Sequence, residues 1–190
     1  AEMIRARPEA AAGHLKSALE RNRKCVRASL LQGDIAAQQG HAEAAIACWQ
    51  RIEQQDPTYL ALVAKRLLDA FRKLERREEG LLLLRGYLER YPSLDLLDVV
   101  FQLVLEAEGP EAAYNLVRDE LRRNPTLLGF DKLIEARVLI SPPESRADLD
   151  LAKGIVQSYT RRLARYRCDN CGFKARQFYW RCPACGGWET

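Results

Sequence analysis

The chain has 190 residues, of which 47% are apolar and 29% charged, so it is long enough for one or two domains with a buried core. Ala, Leu, Glu and Arg are abundant and β-branched residues are few, a composition that favours helices. The sequence has no run of 18 or more apolar residues, which excludes a membrane-spanning helix within it.

The net charge of +4 is distributed unevenly along the chain. Residues 161–190 hold seven basic and two acidic side chains, a local charge of +5, and the other 160 residues sum to −1. The excess positive charge therefore lies at the C-terminal end. At the other end, residue 1 opens a helix-like stretch without targeting features, and we expect it to continue a longer protein.

Three dipeptides that end in proline divide the helical part of the chain: Asp56-Pro57, Tyr91-Pro92 and Asn124-Pro125. They are separated by 35 and 33 residues. A repeat of about 34 residues is typical of the helix–turn–helix units of tetratricopeptide proteins. Counting back by the same period from Pro57 leads to Asn22-Arg23, which we interpret as the same boundary without its proline.

The clearest repeat unit spans residues 28–57. We expect Gly33 to allow a close approach of two helices, Gly40 to form the turn, and Trp49 to fill the large apolar position. Pro57 then ends the second helix. The apolar residues of that second helix recur every three or four positions and share one face: Ala45, Cys48, Trp49 and Ile52.

The same apolar stripe recurs in three other segments: Ala11/Leu15/Ala18/Leu19, Leu81/Leu84/Leu88/Tyr91 and Ala113/Leu116/Val117/Leu121. Stacking of such helix pairs would cover their apolar faces. Residues 1–140 thus resemble the tetratricopeptide family, with a truncated first repeat. After Pro125 we predict a final helix pair, divided by a proline-rich loop over residues 141–148 and ending in a helix from about Leu149 to Arg165.

Four of the six cysteines lie in the last 25 residues, as Cys168-x2-Cys171 and Cys182-x2-Cys185. Two thiolates on one tight turn can bind a single metal ion, and a second such turn completes a tetrahedron. A glycine follows each pair and tolerates positive φ. Because four protein ligands leave no open position, the predicted site is structural. Zinc is the predicted metal, with iron as a chemical alternative.

Other uses of the cysteines fit less well. Disulfides would be unusual in a reducing compartment, and a redox pair normally opens a helix in an α/β domain. We expect Cys25 and Cys48 to pack in the helical core. The aromatic residues of the tail serve either as a small core around the metal or as a surface on which bases stack: Tyr166, Phe173, Phe178, Tyr179, Trp180 and Trp188.

The sequence contains no constellation that suggests catalysis. His14 lies in a predicted helix and His41 in a predicted turn, and neither has a nucleophile or carboxylate at a meaningful spacing. We therefore expect no enzyme activity. The predicted fold is mainly α: a tetratricopeptide solenoid over residues 1–165, followed by a rubredoxin-like zinc ribbon over residues 166–190.

Helical repeats that run directly into a YxCxxCGF…YWxCPxCxxW module closely resemble the lipopolysaccharide assembly protein B family. This resemblance implies that Cys168, Cys171, Cys182 and Cys185 are the metal ligands. It also implies an adaptor that is anchored in the bacterial inner membrane by an upstream helix, with its repeats in the cytoplasm. The implied partners are a membrane AAA+ metalloprotease and the deacetylase that commits precursors to lipid A.

Two further points remain open at the level of sequence. The tail is also similar to the zinc finger of the bacterial recombination ATPase RadA, which makes a nucleic-acid-associated module the alternative, although the near-neutral body leads us to expect no nucleic acid. A homo-oligomer is an open alternative to a monomer. Because the last helix leads directly into Cys168, we predict that the metal module docks against the helices.

Overall fold

The computed structural model describes residues 8–189, and within them the protein folds into nine α-helices, one 3-10 turn and two short strands. The predicted helix-like opening at residue 1 lies outside the described residues. The helices are α1 (Pro8–Arg21), α2 (Val26–Gln38), α3 (Ala42–Gln55), α4 (Leu60–Lys73), α5 (Arg77–Arg90), α6 (Leu94–Glu108), α7 (Pro110–Arg123), α8 (Leu127–Ile140) and α9 (Pro143–Thr160). The 3-10 turn is Pro57–Tyr59, and the strands are β1 (Tyr166–Arg167) and β2 (Lys174–Ala175).

The chain divides into two compact units, Ala1–Asn124 and Pro125–Thr190. In the first unit each of the helices α1 to α6 packs against the next, and α4 also contacts α6. Contacts between alternate helices arise when consecutive helix pairs stack, which is the arrangement of a helical-repeat array. In the second unit α8 packs against α9, and the two strands follow. The mainly α, helical-repeat fold is therefore confirmed, whereas the predicted division at residue 165 stays a prediction.

The helices of the first unit end where the sequence predicts. Helix α3 ends at Gln55 before Asp56-Pro57, α5 at Arg90 before Tyr91-Pro92, and α7 at Arg123 before Asn124-Pro125. Proline cannot donate a backbone hydrogen bond and disfavours helical geometry in the residue before it. Helix α1 likewise ends at Arg21, immediately before the boundary at residues 22–23.

The glycines of the clearest repeat unit lie where the pattern predicts. Trp49 is 2% exposed and its indole lies against Gly33. Gly40 forms the turn between α2 and α3 with φ of +83°, a value that favours glycine. Gly80 makes a similar close approach in the next unit, where an added Cβ would lie 3.0 Å from Phe71 Cβ.

The predicted apolar stripes face the interior. Their central residues are buried, whereas the stripe of α1 is half-buried. Buried stripe residues include Ala45, Trp49, Ile52, Leu84, Leu88, Ala113 and Val117. None of the helices among residues 8–189 combines the length and the apolar character that crossing a bilayer requires.

The predicted loop over residues 141–148 is wrong. Helix α8 continues to Ile140 and α9 begins at Pro143, so that only Ser141 and Pro142 connect the two helices. Pro142 is extended, with φ of −65° and ψ of 157°, and Pro143 takes the first helical position, where a missing N–H has no cost. The same proline pair that suggests a loop therefore starts a helix. That helix also ends at Thr160, five residues before the predicted Arg165.

Candidate metal centre

Two matching turns hold the four cysteines of the C-terminal segment. In the first turn the Cys168 N–H donates to Phe173 O (2.8 Å) and the Gly172 N–H donates to Cys168 O (2.8 Å). The second turn repeats this pattern fourteen residues later, with bonds from Cys182 N to Gly187 O (2.8 Å) and from Gly186 N to Cys182 O (2.9 Å). The two turns are therefore built alike.

The two glycines permit this geometry. Gly172 has φ of +74° and Gly186 has φ of +73°, values in the left-handed region that favour glycine over other residues. Strand β1 leads into the first turn and pairs antiparallel with β2, with Tyr166 opposite Ala175. A bridge between Arg181 and Trp188 closes the second turn in the same way.

The turns bring the four sulfurs together. All four Sγ atoms lie within 4.8 Å of one another, with 3.8 Å between Cys168 and Cys185 and 3.7 Å between Cys171 and Cys182. Tetrahedral zinc with bonds of about 2.3 Å holds its sulfurs about 3.8 Å apart. These separations are far beyond a disulfide bond of about 2.05 Å, and all four cysteines are free. The four side chains therefore fit a single tetrahedral ion.

The pairs differ in exposure, because the first cysteine of each turn is buried and the second is exposed. Cys168 and Cys182 are each 5% exposed, whereas Cys171 and Cys185 face solvent. The centre thus lies at the edge of the ribbon, with one side open to water.

Hydrogen bonds to the sulfurs make the thiols unequal. The Gly187 backbone N–H, followed by the Asn170 amide 3.5 Å away, lowers the pKa of Cys185. The Phe173 N–H also acts to lower the pKa of Cys171, but lost solvation and the neighbouring cysteines outweigh it and raise the pKa to about 12. Thiolates this close repel one another, so a bound cation is what allows all four to be ionised together.

Two arginines and one asparagine belong to the site but were not assigned to it from the sequence. Arg167 and Arg181 each precede the first cysteine of a turn. The Arg181 Nε donates to Gly186 O (3.2 Å), and its guanidinium lies 5.8 Å from the centre of the Trp188 ring. Their charges would partly offset the formal charge of −2 that four thiolates and a divalent metal ion carry together. For the two arginines the sequence contains a signal, because the pattern aromatic-Arg-Cys-x-x-Cys-Gly occurs twice.

The aromatic residues divide into a packed group and an exposed group. Tyr166 packs edge-on against Phe178, with ring centres 5.8 Å apart, and Phe178 packs perpendicular to Trp180 at 5.0 Å. These three residues form the small core of the ribbon. Phe173, Tyr179 and Trp188 are instead 37%, 40% and 54% exposed, so the structure contains both a core and an exposed aromatic surface.

The remaining cysteines and histidines lie outside this site. Cys25 precedes α2 and Cys48 lies within α3, and both are half-buried. Burial raises the pKa of the Cys48 thiol, as expected for a packing residue. His14 lies on α1 and His41 precedes α3, and both are exposed. Among residues 8–189, the four tail cysteines are the one group whose ligand atoms converge as a metal site requires.

The fold and the site define a helical-repeat protein with a C-terminal four-cysteine, rubredoxin-type metal-binding site. Comparison with known proteins agrees: the family profile described as the rubredoxin metal binding domain matches residues 166–190. The chain is 28% identical over 178 residues to lipopolysaccharide assembly protein B of Escherichia coli strain K12. It is 26% identical over 179 residues to the protein of that name from Haemophilus influenzae.

These matches cover 93% of this chain but 46% and 45% of the two relatives. The chain thus spans about half the length of the curated relatives that it matches. The resemblance to the lipopolysaccharide assembly protein B family, predicted from the cysteine and aromatic motifs, is confirmed by these matches.

Proposed function

We propose that the chain is a non-enzymatic adaptor in the regulation of lipopolysaccharide synthesis. It would promote proteolysis, by a membrane AAA+ metalloprotease, of the deacetylase that commits precursors to lipid A. The observation that carries this proposal is that the chain combines stacked helix pairs with a C-terminal site at which four cysteine sulfurs converge. The names of the matched relatives support the pathway, and the resemblance implies the protease and the deacetylase.

In this proposal the metal is structural zinc. Cys168, Cys171, Cys182 and Cys185 would hold it, and their four sulfurs leave no position for a substrate or a reactive water. A ribbon of about 25 residues has little core beyond its three packed aromatic rings, so metal binding would supply its folding energy. Catalysis by this centre has no place in the proposal.

The first unit offers a small groove that suits a short segment of a partner protein. A cavity of about 290 Å³ lies between α2, α3 and α4, above the buried Trp49. Its walls are mainly apolar and also carry charges of both signs, a combination that suits a protein segment with both kinds of side chain. The charged lining residues are Asp34, Arg66, Asp69 and Lys73.

The adaptor proposal is tested in cells with the complete protein, anchored in the inner membrane on its cytoplasmic side as the resemblance implies. We expect the tagged protein to co-purify with the metalloprotease and the deacetylase, and its deletion to lengthen the half-life of the deacetylase. Lys73→Glu should weaken recovery of one partner. Lys65→Glu, on the exposed side of the same helix and outside the groove, is the matched control. Recovery of neither partner, with an unchanged half-life, would overturn the proposal.

A nucleic-acid-associated role is the second candidate, because the ribbon exposes aromatic and basic groups together. A groove of about 490 Å³ is lined by Arg165, Phe173, Arg176 and Tyr179, among others. Stacking of bases on such aromatics with nearby arginines is a common mode of single-strand binding. A binding assay with a salt series tests it: an affinity that falls steeply with salt would support this role, and no binding at low salt would eliminate it.

A further inference from the structure

Exposed apolar side chains are concentrated in the second unit. Among residues 8–189, all the exposed large apolar side chains except Leu82 lie in it. Three of them form a stripe on α9: Leu151, Ile155 and Tyr159, which are 66%, 55% and 66% exposed. Residues four apart share one face of a helix. A contiguous apolar stripe this exposed is uncommon on a protein surface and marks a surface that a partner covers.

Opposite charges flank this stripe at equal distances. Asp148 lies seven residues before Ile155 and Arg162 seven residues after it. Within α9, seven residues at about 100° each return to within about 20° of the same direction, which places Asp148 in line with the stripe. Arg162 lies two residues beyond Thr160, where α9 ends, and so lies next to the other end of the stripe. Arg162 lies in the turn that continues α9, where its N–H donates to Tyr159 O (3.1 Å). Both side chains are exposed, and neither has an ion-pair partner within the described part of the chain.

The exposed face of α9 is therefore complementary to a second, antiparallel copy of itself. We propose that two copies of the chain pair through antiparallel α9 helices, with the two-fold axis at Ile155. Leu151 of each copy then meets Tyr159 of the other, and Asp148 of each copy meets Arg162 of the other. A two-fold interface requires this kind of self-complementary patch. Antiparallel pairing also places the helix dipoles in favourable opposition.

The charge pattern favours a second copy over a lipid surface. Helices that lie on membranes carry basic residues along the polar border of their apolar face. The α9 stripe has a carboxylate at one end and a guanidinium at the other, and an anionic surface would repel the former. A single pair of helices forms a small interface, so the dimer should dissociate on dilution.

Sedimentation velocity of the full chain, loaded with metal and measured through the micromolar range, tests this pairing. We expect a monomer–dimer equilibrium. Ile155→Asp places two carboxylates together at the axis and should raise the dissociation constant at least about tenfold. Leu82→Asp is the matched control: Leu82 is 74% exposed on α5, and its replacement should leave the equilibrium unchanged. Circular dichroism establishes that each variant keeps its helices.

A charge-reversal series tests the register of the two helices independently. Asp148→Arg brings two arginines together and Arg162→Asp brings two aspartates together, so each should weaken the dimer several-fold. The double variant restores opposite charges and should recover the affinity. A chain that stays monomeric, including one whose stripe binds lipid or another protein instead, would overturn the proposal. So would a dimer insensitive to Ile155→Asp, or single reversals that the double variant does not repair.

Discussion

Gly33 lies directly against the indole of Trp49, and a Cβ added at position 33 would be 2.2 Å from Trp49 Nε1. The same nitrogen fixes the indole in place, because Nε1 donates a hydrogen bond to Leu30 O (3.2 Å). Trp49 is 2% exposed, so moving its ring away from Gly33 would break this hydrogen bond and disturb buried packing. This contact joins α2 to α3 and explains why the repeat requires glycine at this position.

Replacing Gly33 with alanine should therefore destabilise the protein. The added methyl group would force α2 and α3 apart, which we expect to cost about 2 kcal/mol of unfolding free energy. Gly13→Ala is the control, because nothing lies within 4 Å of its added Cβ, and it should stabilise α1 by about 0.5–1 kcal/mol. Urea denaturation followed by circular dichroism measures both. A Gly33→Ala protein as stable as Gly13→Ala would contradict the packing described here.

The hydroxyls that follow two of the boundary prolines, Pro92 and Pro125, cap the next helix. Ser93 Oγ accepts from Leu96 N (3.2 Å) at the start of α6, and Thr126 Oγ1 accepts from Gly129 N (2.9 Å) at the start of α8. Ser93→Ala and Thr126→Ala should each cost about 1 kcal/mol in unfolding free energy. Ser93→Asn, which keeps a capping side chain, should cost less. Equal losses for the alanine and asparagine variants would show that the cap is unimportant.

Asp34 should make stability depend on pH in an unusual direction. Burial raises the pKa of this carboxyl above its ordinary value of 3.8, although Arg66 Nε lies 2.9 Å away and acts to lower it. A pKa that is raised by folding contributes stability below the unfolded value, and this contribution is lost as pH rises through the folded value. Relative to Asp34→Asn, the wild type should thus lose stability between pH 3.8 and neutral pH.

Urea midpoints of the two proteins across this pH interval measure the effect. Asp69→Asn, in the same groove, controls for loss of one negative charge. A difference between wild type and Asp34→Asn that stays constant, or that grows in favour of the wild type as pH rises, would refute this assignment.

Metal binding should support the helices of the second unit. The segment after α9 is tied to the ribbon by a bond from Arg165 N to Ala175 O (2.9 Å), and both belong to one compact unit. Replacing Cys168 and Cys171 with serine removes two ligands, so we expect faster hydrogen exchange in α9 and a lower melting temperature. Cys25→Ser should leave α9 exchange unchanged. Unaltered α9 exchange in the double variant would show that ribbon and helix fold independently.

The repeat boundaries were predictable because proline acts locally. A missing N–H and a fixed φ end a helix wherever they fall in its interior, so Pro57, Pro92 and Pro125 could be read without a structure. The same rule gave the wrong prediction of a loop at Pro143, because proline is favourable at the first position of a helix. Whether a proline ends or begins a helix depends on its surroundings in the fold, which the local sequence does not show.

The four tail cysteines could also be identified from the sequence, because their spacing predicts two turns. Asn170 could not be identified in this way, because it belongs to one turn and its amide contacts Cys185 of the other. Nor could the α9 stripe be recognised as exposed, because apolar spacing on a helix normally indicates a core face.

The central claim, that four cysteines hold one structural ion, is tested most directly by X-ray absorption spectroscopy of the protein purified under reducing conditions. We predict one zinc per chain, with four sulfur ligands at about 2.3 Å and no nitrogen or oxygen in its first shell. A protein that holds no stoichiometric ion, or one whose ion is bound by water, histidine or fewer than four sulfurs, would contradict the account.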